Sequence, residues 1–194
     1  MIPSAKPLSI AALAALTIAG PAQAAPASYV LDPQHMSVVF VVGHMGYSNL
    51  IGRFNQVSGE LKFDKVEVSG SSVKVVIDTA SVDTNHAKRD EHLRSPDFFN
   101  AKEFPQMTFA SKSVVKTGEA TGKLAGELTM LGVTRPVVLE VTFNKDAASP
   151  ITKKDTVGFS ARGRIKRSEF GMKYGVPNLG DDVELLLEAE AIRQ

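Results

Sequence analysis

No cysteine occurs among the 194 residues. Disulfides, thiol catalysis, iron–sulfur clusters and cysteine-bound zinc are therefore excluded, and the fold must be held by its own core. A net charge of either sign is also missing. Removal of residues 1–24 would take one of the 22 basic residues, Lys6, and leave 21 facing 21 acidic residues. Such balance argues against a general nucleic-acid binder or a protein held on anionic membranes by charge. No repeat, low-complexity linker, twin arginine or G-x-S-x-G nucleophile elbow is present, and beyond the first 20 residues there is no long apolar run.

The beginning of the chain has a pattern of its own. Lys6 precedes the short apolar run "LSIAALAALTIAG" and the small-x-small motif "AQA" at Ala22–Ala24. This order predicts a secretory signal peptide cleaved between Ala24 and Ala25, leaving a single domain of residues 25–194.

Period-two alternation dominates the rest and predicts strands near 28–32, 36–45, 51–64, 72–82, 106–115, 120–130, 135–144, 157–167 and 182–193. Turn signals such as "SGSS", "KTGEATG" and "NLGDD" separate them. Eight or nine strands on short turns suggest an antiparallel meander, and closing it into a barrel removes exposed edges. Val137, Leu139, Val141 and Phe143 share one face, whereas Arg162, Arg164 and Lys166 on one strand oppose Glu184, Glu188 and Glu190 on the next. Charges outside and apolar residues inside are the reverse of an outer-membrane barrel. Small residues (Gly59, Gly126, Ala161, Gly163, Ala189) recur on the inward faces, which is compatible with either a filled or a hollow interior.

One segment departs from the strands. In "HAKRDEHLRSPDFFNAKEFP" (His86 to Pro105), capping oxygens of Asp83, Thr84 and Asn85 and the stop signal Ser95-Pro96 predict a helix over 86–94. At about 100° per residue, Arg89, Asp90 and His86 share a face with Leu93. Three roles are open to it. His86 and His92, six apart, cannot share a metal as an i, i+4 pair does, although His35 or His44 could complete a site. Arg89, Asp90 and His92 could serve acid–base chemistry. A third role is a plug across a barrel end, locked by buried ion pairs, with Phe98, Phe99 and Phe104 forming a wall. The 46–50 loop breaks the meander and offers part of an opening.

The blocks "YVLDPQHMSVVFVVGHMGYSNLIGRF", "DTASVDTNHAKRDEHLRSPDFFNAKEFPQMTFAS", "GELTMLGVTRPVVLEV" and "GRIKRSEFGM" together resemble the YceI family of exported lipocalin-like proteins. The family commonly has Ser or Thr where this chain has Met36. The resemblance implies an all-β, extended antiparallel barrel of about eight strands with a short helix near 86–94 and a long internal apolar tunnel, in the periplasm. It implies a bound polyisoprenoid or other long-chain lipid such as an isoprenoid quinone or polyprenyl phosphate and possible homodimerisation, and it does not imply an enzymatic reaction; such carriage is expected to need no cofactor or metal.

On that expectation the tunnel would be lined by Phe40, Val42 and His44, then Val57, Val75 and Ile77. Met107, Phe109, Leu128 and Met130 would follow, with Val141, Phe143, Phe159 and Ile165 opposite. Phe98, Phe99 and Phe104 would lie near the helix, and Arg89, His92, Arg94 and Arg167 are candidates for a polar head group. The competing readings are a lipid-modifying enzyme using His44, Asp90 and His92, and an interaction module acting through its outer surface.

Overall fold

The computed structural model describes residues 26–194, so the expected signal peptide lies outside the described residues. The strands are β1 (Ala27–His44), β2 (Ser48–Phe54), β3 (Val57–Phe63), β4 (Ser72–Asp78) and β5 (Val82–Asp83). After the single α-helix among the described residues, α1 (Ala87–Arg94), come β6 (Gln106–Lys116), β7 (Thr121–Met130), β8 (Val133–Ala148), β9 (Asp155–Lys166) and β10 (Leu179–Arg193). All pairings are antiparallel, and β10 pairs with β1 to close the sheet. No described helix is long and apolar enough to cross a membrane.

β1 is the seam. Its first residues pair with β3, its last with β2, and its other edge with β10. The expected strand over 51–64 is therefore two strands, broken at Asn55–Gln56. The expected strand over 72–82 breaks at the same level. Asp78 accepts from the Ala80 amide and Ser81 donates back to the Asp78 carbonyl, turning the chain out of β4 before β5. The two breaks are stitched together by the Asn55 amide on the Ser81 carbonyl and the Gln56 amide on Ser81 Oγ. Counting β2 with β3 and β4 with β5, the barrel has eight strands. The strands expected over 28–32 and 36–45 are conversely one, because Asp32–His35 bulge out against the single Glu190 of β10 without ending β1.

The alternation sends the expected faces inward. Val137 and Leu139 are buried while Val138 and Glu140 face outward. Outside, Arg164 meets Glu184 at 2.6 Å and Lys166 meets Asp182 at 3.2 Å across the β9–β10 ladder. Such solvated pairs contribute about 0–1 kcal/mol each.

The interior is hollow. Val73, Val75, Leu124, Val141, Ile165, Leu185 and Leu187 point inward yet remain only partly buried. Two glycines help to keep the bore open. A Cβ on Gly52 would land in the Phe40 ring, and one on Gly126 in the Phe109 ring. Both rings therefore lie flat over a neighbouring strand instead of projecting into the lumen, which is a more specific use of glycine than a bend.

Candidate functional site

The lumen is a cavity of about 800 Å³ reaching both ends of the barrel. Its wall runs the length of β7, from Thr121 to Met130. At roughly 3.3 Å per residue and a strand tilt near 40°, that is about 25 Å along the axis. Phe40, Val42, Val75, Ile77, Met107, Phe109, Leu128, Met130, Val141, Phe143, Phe159 and Ile165 line it, as do Phe98 and Phe99.

Three expected residues lie elsewhere. Val57 packs against the core beside Ile77 but borders a small groove between β1 and the Asn55 break in place of the lumen. Phe104 packs against the β7–β8 turn at Gly132. Arg94 donates to the Ala80 and Val82 carbonyls, so it clamps α1 to the strand break and does not reach the cavity wall.

Helix α1 covers one end of the barrel. His86 is its N-cap, accepting from the Arg89 amide, so the capping residue is not among Asp83, Thr84 and Asn85. The helix buries Asp90 and Leu93 as its spacing requires, but without the expected buried ion pairs. Arg89 donates to Thr84 Oγ1 and to the Thr84 carbonyl, and Thr84 donates through both its amide and its hydroxyl to Asp90 Oδ1. The two charges communicate through a threonine. Charge-assisted bonds of this kind satisfy buried groups without a direct pair. His92 is bonded to Asp97 at 2.9 Å and packs edge-on against Phe98 and Tyr174.

Arg167 is the most deeply placed cation, 4% exposed. Its Nε donates to the Gly180 carbonyl, Nη1 to that of Met172, and Nη2 to those of Tyr174 and Leu179. Four of its five N–H groups are thereby engaged, leaving one on Nη1. Burial pushes its pKa down and the neighbouring Asp181 pushes it up, with burial prevailing. Burial would likewise raise the Asp181 carboxyl, but two bonds from Ser168 and the charges of Lys166 and Arg167 hold it below the ordinary value.

His44, Arg89, His92 and Arg167 all reach the cavity wall at this helix end, and no carboxylate joins them there. Asp90 is turned to Thr84 and is absent from the wall, so the constellation His44, Asp90 and His92 does not assemble around the cavity. Sequence reasoning missed Met45, Met172 and Tyr174, which also line this end. Their signal was weak, being isolated apolar residues in glycine-rich turns.

The opposite, turn end is lined by Lys65, Ser71, Ser72, Lys116, Glu119, Ala120 and Thr121. Phe63, Phe143 and Phe159 pack together there with centroids 5.3–5.7 Å apart. Lys65 bonds Asp146 at 3.0 Å. Since β3 and β8 stand on opposite sides of the ring, Phe63–Phe143 and Lys65–Asp146 both span the lumen.

On the outer wall, His35 bonds Asp32 at 2.8 Å, with Glu190 close enough that all three could offer ligand atoms within 4.8 Å of one another. His35 is thus remote from the α1 histidines it was considered to join. Its pKa is raised, chiefly by that bond to Asp32.

The sequence profile of the YceI-like domain matches residues 29–191. Protein YceI of Escherichia coli O157:H7 is 41% identical over 176 residues, covering 91% of each chain. A crystal structure of the Campylobacter jejuni YCEI protein superposes with a TM-score of 0.71 at 36% identity, covering 78% of this chain and 90% of that one. A polyisoprenoid binding domain from Saccharophagus degradans shares the fold, with a TM-score of 0.68 at 16% identity over 87% of this chain and 99% of that one. An eight-stranded closed barrel, a helix over one end, and matching sequence over nearly all of the described residues place this chain in the YceI-like family.

Proposed function

We propose that this protein binds and carries a long-chain isoprenoid lipid, either an isoprenoid quinone or a polyprenyl phosphate, and that it does so in the periplasm. The observation carrying this reading is the continuous, almost wholly apolar cavity of about 800 Å³. Each methylene taken from water into such a lining is stabilised by about 0.8 kcal/mol, so the tail alone supplies retention. The shared fold of a domain described as polyisoprenoid binding supports the choice of tail. The basic, carboxylate-free lining at the helix end supports a head group that accepts hydrogen bonds, held near Arg89, His92 and Arg167. The leader pattern of residues 1–24 supports export. Carriage requires no cofactor, and a neighbour described as a polyisoprenoid binding domain supports binding over catalysis.

The test is to express the chain in a bacterial host, purify it without detergent, extract it and identify the lipid by mass spectrometry. A stoichiometric quinone or polyprenyl lipid is expected. Protein that is empty and also fails to take up added quinone would overturn the reading. Placing a charge on the cavity wall, Phe109→Asp or Met130→Asp, is expected to abolish retention. Circular dichroism would verify that the barrel persists.

A further inference from the structure

The outer surface of the helix end carries a group of exposed apolar side chains that the cavity does not explain. Tyr47, at the tip of the β1–β2 turn, is 88% exposed, and Met45 beside it 54%. Across from them, Tyr174 is 49% exposed and Val176 36%. The Met45 amide donates to the Asn178 carbonyl at 2.7 Å, so the two loops form one rim. The Tyr174 loop is further anchored through its carbonyls to Arg167.

Two members of this rim, Met45 and Tyr174, also line the cavity. An unbroken apolar path therefore leads from the lumen to the outside between the β1–β2 turn and α1. The turn end differs. Its large exposed apolar residues, Val66, Val115 and Ile151, do not line the cavity, whose mouth there is mostly polar, with Lys65, Ser71, Ser72, Lys116, Glu119 and Thr121 beside Val68 and Ala120.

Charge identifies what the rim meets. Residues 43–53 ("GHMGYSNLIGR") and 170–180 ("FGMKYGVPNLG") contain no Asp or Glu, and Lys173 carries the charge of the rim, whereas Arg53 lies at the far end of β2 within 3.8 Å of Asp83. Projecting apolar loop tips beside a lysine, with no carboxylate in either loop segment, match an anionic lipid surface, where the tips enter the acyl boundary and the cation stays among head groups. We propose that this rim docks the barrel on a phospholipid bilayer and that lipid passes between membrane and cavity along the Met45–Tyr174 path. The passage of cargo rests on the carrier reading above, whereas docking itself does not.

The chain contains no tryptophan, so Tyr47→Trp would be a sole reporter. With vesicles of phosphatidylethanolamine and phosphatidylglycerol, its emission is expected to shift to the blue, less so at high salt, while Ile151→Trp at the opposite end stays unshifted. The double variant Tyr47→Ser/Val176→Ser, whose side chains lie off the cavity wall, is expected to slow transfer of polyprenyl phosphate from vesicles at least ten-fold with equilibrium loading unchanged. A silent Tyr47→Trp, a shift only at Ile151→Trp, or a shift that follows protein concentration without vesicles and so reveals a second copy on the rim, would each overturn the proposal. If Tyr47→Trp inserts but the protein takes up no lipid, docking stands and the carrier reading falls.

Discussion

At the helix end the barrel is closed by guanidinium groups that serve backbone carbonyls, Arg167 for four of them and Arg94 for two. At the turn end it is drawn together by a half-solvated lysine–aspartate pair above three packed phenylalanines. The difference lies in where water goes. Desolvated, directional bonds make the helix end a fixed frame that stays open along one apolar path. The Lys65–Asp146 strap contributes little, and the aromatic packing beneath it does most of the closing. The apolar rim thus belongs to the end with the more extensive hydrogen-bonded scaffold.

The largest expected effect comes from removing that frame. Arg167→Leu leaves a buried site without its guanidinium and takes the donor from four carbonyls, and should cost about 3 kcal/mol or more, read by chemical denaturation. A cost below 1 kcal/mol would mean that the frame is no stiffer than the strap. Gly126→Ala should come next. The new methyl displaces the Phe109 ring towards the lumen, costing about 1–3 kcal/mol and reducing the bound lipid found by extraction.

Acid should weaken the helix end. Because the Asp181 carboxyl lies below its ordinary value when folded, its contribution is complete above the unfolded-state value and is lost as pH falls through the folded one. The melting-temperature gap between the natural chain and Asp181→Asn should accordingly narrow on acidification, and a constant gap would remove Asp181 from the frame. Lys65→Ala should have the smallest effect, within about 1 kcal/mol, and a larger loss would put the strap on a par with Arg167.

Much of the barrel was legible because alternation depends only on which side chains face water. Val137, Leu139 and the Arg164–Glu184 pair declare their faces without any knowledge of the partner strand. The breaks at Asn55 and at Thr79–Ser81 were not legible, since they arise from side-chain bonds between two strands that each continue their apolar pattern through the break. For the same reason Arg94 passed as a ligand candidate. A cation near a mouth has the same sequence signature whether it meets a head group or a carbonyl, and only the fold around Ala80 and Val82 decides. Val57 and Phe104 share the hydrophobicity of their tunnel-facing neighbours, so their displacement into a groove and a turn follows from the path of the chain, not from composition.

The seam at β1 also governs how this molecule comes into being. Residues 29–44 find their last partner in residues 179–193, so the ring cannot close until almost the whole chain is available. Loop-closure entropy over such a span makes folding slow compared with helical domains of similar size. Until then both the first and the last strand expose an unpaired edge. A truncation that removes only β10 would therefore leave β1 as an open template for aggregation, and the integrity of the carboxyl-terminal strand is a condition for solubility as much as for a sealed lumen.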